Sequence, residues 1–257
     1  MANFRVWKWL GLGLMAALAV AKCNVFSAEP VYSGLSVEGF NYIPLNLSEF
    51  TIRDKYGNSA SGGGDLPPGS GEGSLSCCYK LKGTKFTVEW NAYDADEAIK
   101  NIYAPLKEIH HVANVTMKPV KIRMKPGRVV LAAHFYPDNH VEFELRTDFH
   151  GSRIDYSEVK YLLLEKHGTL VNPDDDDEFV ILRRVAKISA EGWKKYGLTD
   201  STDLEQYCYL YLINKDFDQN PSIQKILEST KATPGAFGKA IQALPASVVR
   251  EINAAKA

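Results

Sequence analysis

The pattern of apolar residues changes period once along this chain, and that change sets the fold class. From Val31 to about residue 150, apolar side chains alternate with polar ones, as in Thr87-Val88-Glu89-Trp90. From about residue 185 they recur at helical spacing, as in Leu204, Cys208 and Leu212 or Val248, Val249 and Ile252. A strand buries every second residue and a helix every third or fourth. Runs of strands followed by runs of helices predict an α+β chain: an N-terminal antiparallel, sandwich-like β domain over 31–150, then a mixed to helical region over 151–257. No internal repeat is present.

Residues 1–28 stand outside this pattern and read as a signal segment. Arg5 and Lys8 form a basic start, and an apolar run follows from Trp9 to Ala21. The run of about 13 residues has the length of an export signal and falls short of the ~20 that a bilayer span needs. Small residues suit cleavage at Val25–Ser27 or Ala19–Ala21. Lipidation at Cys23 is the competing outcome, although Lys22 stands where a small residue belongs; an uncleaved anchor is the third. The expected location is the periplasm or cell envelope, with membrane contact only through this segment or a lipid.

About 230 residues then remain, enough for one large domain or two small ones. Lys and Arg total 30 against 31 Asp and Glu, so no basic face for nucleic acid is expected. The cysteines are Cys23, Cys77, Cys78 and Cys208. In an oxidising compartment Cys208 is expected to bridge to Cys77 or Cys78. Neighbouring strand residues face opposite ways, so only one of Cys77 and Cys78 should face a given partner, and a strained bond between the two is disfavoured. A buried free thiol at Cys208 is the alternative.

Local readings follow from composition. Residues 58–76, rich in Gly, Ser and Pro, are expected to be a long loop; they lack the Gly-x-x-x-x-Gly-Lys pattern of a phosphate cradle. Ala98, Ile102, Leu106 and Ile109 have partial helical spacing interrupted by Pro105, which predicts a short helix or an irregular insertion. Pro137-Asp138-Asn139-His140 predicts a tight hairpin turn.

Few residues suggest chemistry. Asp174, Asp175, Asp176, Asp177 and Glu178 are consecutive acids without the alternate spacing and glycine of a calcium loop. They are read as a solvated loop, or as a negative patch for a basic partner. His110-His111 lacks matching ligands, and no nucleophile elbow is present. No catalytic residue, cofactor or metal site is assigned.

Gly39-Phe40-Asn41-Tyr42, Phe50-Thr51-Ile52, the Gly-rich 57–73, Cys77-Cys78, Phe86-Thr87-Val88-Glu89-Trp90 and Phe135-Tyr136-Pro137-Asp138-Asn139-His140-Val141-Glu142 occur in an order that resembles the bacterial domain-of-unknown-function 3304 family. The resemblance covers about 35–150. It implies an envelope protein or lipoprotein encoded near interbacterial secretion effectors, and no catalytic residue. Lys22 and the helical tail depart from the family pattern.

The functional expectation is a non-enzymatic envelope protein that binds another protein, in the manner of an immunity-type inhibitor of a toxin. The alternative is an envelope hydrolase or small-ligand binder, which requires His134, His150 and Asp148 to converge in one pocket.

Overall fold

In a computed structural model of the chain, described over residues 29–69, 75–118, 129–148 and 151–254, the change of period at 150 marks a change of layer. The signal segment, Cys23 and His150 lie outside the described residues. Val31–Ala257 forms one compact unit, and it carries the fold.

Eight strands come first: β1 (Val31–Asn41), β2 (Asn46–Asp54), β3 (Ser59–Leu66), β4 (Ser76–Lys82), β5 (Lys85–Tyr93), β6 (Ile109–Thr116), β7 (Val129–Phe135) and β8 (Val141–Arg146). One helix, α1 (Ala95–Lys100), lies between β5 and β6. The later helices are α2 (Tyr156–Val171), α3 (Glu178–Tyr196), α4 (Ser201–Ile213), α5 (Pro221–Thr230), α6 (Ala236–Gln242) and α7 (Ala246–Ala254). The α+β organisation read from the sequence is therefore present.

The strands form two four-stranded sheets, ordered β4-β1-β7-β8 and β3-β2-β5-β6. The second is antiparallel. The first is mixed, because β1 and β7 run parallel from Leu35↔Val129 to Asn41↔Phe135. A parallel pair needs a crossover, and here the whole second sheet, together with β4, is inserted between the two strands. Leu35, Val37, Leu131, Ala133 and Phe135 point from the first sheet towards Phe50, Ile52, Val88 and Trp90 of the second. The alternate residues Phe40, Tyr42, Ala132 and Tyr136 face the other way and share a core with Val159, Leu163, Val185, Leu204, Tyr207 and Cys208 of the helices. The mixed sheet is thus buried on both faces, which is why Val129 to Phe135 is an uninterrupted buried run.

One local expectation is corrected. Residues 59–66 are strand rather than loop: β3 pairs with β2 from Leu47↔Leu66 to Arg53↔Ser59. Glycine suits this strand because Phe50 lies against Gly62; a Cβ there would come within 2.6 Å of the ring. Within the mixed to helical region, residues 156–171 form α2, whose Asp155 caps the Glu158 N–H. The short helix or irregular insertion expected around Pro105 is present as a short helix followed by irregular chain. α1 ends at Asn101, and Ile109 already belongs to β6. The hairpin at 137–140 is as expected, with Asn139 at φ +66 and its N–H donating to the Tyr136 carbonyl at 2.9 Å.

Candidate interaction surface

The chain between α1 and β6 departs most from ordinary burial. Every residue from Asn101 to His110 is exposed. Ile102 is 72% and Tyr103 92% accessible, and Ile99, Leu106, Ile109 and Val112 extend the apolar strip. Such a strip on a folded surface marks an interaction site more often than a stray residue does. Asn101 stops α1, Ala104 closes a turn on the Asn101 carbonyl at 3.0 Å, and Pro105 prevents helical continuation.

The base of this arm is fixed. Asp94 caps α1 through the N–H of Asp96, and Asp96 pairs with Arg183 (2.6 Å) and Lys187 (2.7 Å) on α3. Burial works against the charge on Asp96, but hydrogen bonds and attraction from Lys187 and Arg183 prevail and hold its carboxyl below the ordinary value. At the other end Glu108 accepts from Ser48 at 2.5 Å and from Asn91 at 3.4 Å. An anchored base with an apolar tip presents side chains at a reduced ordering cost.

The acidic run is mostly occupied by local structure. Asp176 pairs with Arg184 at 2.5 Å and its N–H donates to Asn172. Asp177 caps α3 through the Phe179 N–H at 2.8 Å, and Glu178 pairs with Lys160 at 3.2 Å. Asp174 and Asp175 are exposed. Sequence reading treated the five acids as equivalent, whereas the last three shape the entry to α3.

The expected bridge from Cys208 is not formed. Cys208 is buried on α4, 3.3 Å from the Ser189 hydroxyl, and burial raises its thiol pKa to about 12. Cys77 and Cys78 are instead joined to each other. The alternation argument fails because the ladder from β1 jumps from Leu35↔Tyr79 to Val37↔Ser76, which leaves a bulge at these two residues, and Cys78 takes φ +76.

The proposed hydrolytic residues gather only in part. His134, Glu142, Glu144 and Arg146 share one face of the mixed sheet. Arg153 reaches them from the α2 approach, bonding Glu142, Glu144 and Tyr136. Asp148 pairs with Arg146. His134 has no solvent exposure; Nδ1 is bonded to Tyr42, and Nε2 stands 3.6 Å from Glu144. Burial, then repulsion from Arg153 and Arg146, lowers its pKa to about 3. A sealed neutral imidazole with one nitrogen committed to a tyrosine fastens the Arg153 segment to the sheet.

Among the described residues, no group of three His, Cys, Asp or Glu side chains is arranged to hold a metal ion, and no helix is long and apolar enough to cross a membrane. No protein-family model, curated protein or solved structure matches the chain.

Proposed function

We propose that this chain is a non-enzymatic protein of the bacterial cell envelope that acts by binding another protein, in the manner of an immunity-type inhibitor of an interbacterial toxin. The observation that carries the binding role is the exposed arm from Ile99 to Leu106, with Ile102 and Tyr103 at its tip. Aromatic and large aliphatic side chains of this kind are the usual anchors of protein interfaces. The envelope setting rests on the leader and on the resemblance over 35–150. The hydrolase reading has less support, because His134, one of the residues it names, is sealed from any substrate.

The test is affinity capture from the envelope of the native host with the wild-type chain and an Ile102→Ser/Tyr103→Ser variant. A stoichiometric protein recovered by the wild type and lost from an equally stable variant is expected. Recovery of no such protein, or equal recovery by both chains, would overturn the proposal.

A further inference from the structure

Four strands lie at the edges of the two sheets: β4 and β8 in one, β3 and β6 in the other. An open edge offers unpaired N–H and C=O groups to any other strand, and proteins usually blunt it with charge, bulges or breaks. β4 has the Cys77–Cys78 bulge together with Lys80 and Lys82. β8 carries Glu142, Glu144 and Arg146. β3 is interrupted by Gly63 and Gly64 at φ +104 and +125. β6 has none of these devices. Its eight residues, Ile-His-His-Val-Ala-Asn-Val-Thr, include no Lys, Arg, Asp, Glu, Gly or Pro. Its ladder to β5 runs from Lys85↔Thr116 to Ala92↔Ile109 without a shift, and no described strand pairs with its far side.

The flanking charges indicate what the edge accepts. Glu108 precedes β6 and Lys118 follows it; both are exposed, and they stand five positions either side of Ala113. We propose that β6 pairs antiparallel with β6 of a second copy of this chain, about a two-fold axis at Ala113. Opposed residues in an antiparallel pair share a face. This register sets Val112 opposite Asn114, His110 opposite Thr116 and His111 opposite Val115. It also sets Glu108 opposite Lys118 twice over. The strand is thus complementary to itself in charge as well as in edge.

The joint shares Ile109 and Val112 with the apolar strip but leaves the arm tip at Ile102 and Tyr103 outside it, so an Ile102→Ser/Tyr103→Ser chain that still pairs separates this proposal from the function proposed above. The full chain is measured by light scattering over a dilution series. The expected mass is that of two chains, falling towards one on dilution. Val112→Lys, at a side chain 56% exposed, is expected to abolish the dimer and to melt at the temperature the wild type shows once it is diluted to single chains. Lys118→Glu is expected to weaken association about tenfold through two lost pairs and two like-charge contacts, a loss that shrinks at high salt. Under mild oxidation Ala113→Cys is expected to crosslink to itself and Val112→Cys is not. A single-chain mass throughout overturns the proposal, and so does a dimer indifferent to Val112→Lys or one in which both cysteine variants crosslink equally. A chain that stays single but sediments with phospholipid vesicles overturns it too.

Discussion

Tyr42, directly after β1, and His134 on β7 share a hydrogen bond of 3.0 Å between Oη and Nδ1, with both side chains buried. The same Oη accepts from the Arg153 backbone N–H at 2.8 Å, and Phe40 stacks on the imidazole at 4.7 Å. The pair therefore joins the segment entering α2 to two strands of the mixed sheet.

This geometry predicts a pH dependence of stability. An unfolded histidine titrates near 6.5, and His134 in the fold titrates at about 3. Between these values the unfolded chain binds a proton that the native chain refuses. The stabilisation is complete above pH 6.5 and declines as pH falls towards 3, by at most about 1.4 kcal/mol per pH unit. Urea unfolding at pH 7 and pH 5 is expected to show a loss of about 2 kcal/mol in the wild type beyond that in His134→Gln. Equal losses in the two chains would refute the assignment.

Phe50 is clasped between two glycines. A Cβ on Gly39 would stand 2.7 Å from Phe50 Cε1, and one on Gly62 would stand 2.6 Å from Cζ. Gly39→Ala and Gly62→Ala are each expected to cost about 1–3 kcal/mol by overpacking. In a Phe50→Leu background the penalty of each alanine should shrink, because the atoms it meets are gone. Denaturant midpoints of the two double-mutant cycles test this. Penalties that simply add would place the strain elsewhere.

The same contact explains what could be read in advance. The turn at Pro137–His140 was legible because its determinants are adjacent residues. The strand character of β3 was not, because glycine there is required by Phe50 on another strand and by the register of β2. Ile102 and Leu106 lie at spacing that a buried helix face would use; only the position of the rest of the fold leaves them in solvent. Cys77 and Cys78 defeated strict alternation because the ladder is bulged where they occur. The candidate surface was therefore hidden from sequence while the order of strands and helices was plain. The apolar periodicity is local and the exposure is not.

Cys208 is expected to be inert in the folded chain. Burial raises its thiol pKa to about 12, and the thiolate is the reactive form. Alkylation at pH 8 followed by peptide mapping should find Cys208 unmodified under native conditions and modified in denaturant. Ready modification of the native protein would mean that the α3–α4 contact opens easily. Ser189→Ala removes a hydroxyl 3.3 Å from the sulfur and should leave the native protection intact, because burial is its main source.

Glu205 on α4 is wholly buried and accepts from Lys166 Nζ at 3.0 Å and Gln206 Nε2 at 2.7 Å. α2 departs from helical geometry beside it, at His167 (φ −139°, ψ 30°), whose ring stacks on Tyr209 at 4.0 Å. The break places Lys166 and His167 over one carboxylate, with His167 Nε2 3.5 Å from Oε1. Lys166→Met leaves that carboxylate short of its cation and is expected to cost about 2 kcal/mol, below the usual figure for a buried pair because Lys166 is 38% exposed. Lys166→Met/Glu205→Gln removes both charges and is expected to recover at least about 1 kcal/mol of the loss, since a neutral amide is cheaper to bury than an unpaired carboxylate. Chemical denaturation of the three chains measures the coupling. If the double variant is no more stable than Lys166→Met, the break at His167 is maintained by its stacking on Tyr209 and not by the charge on Glu205.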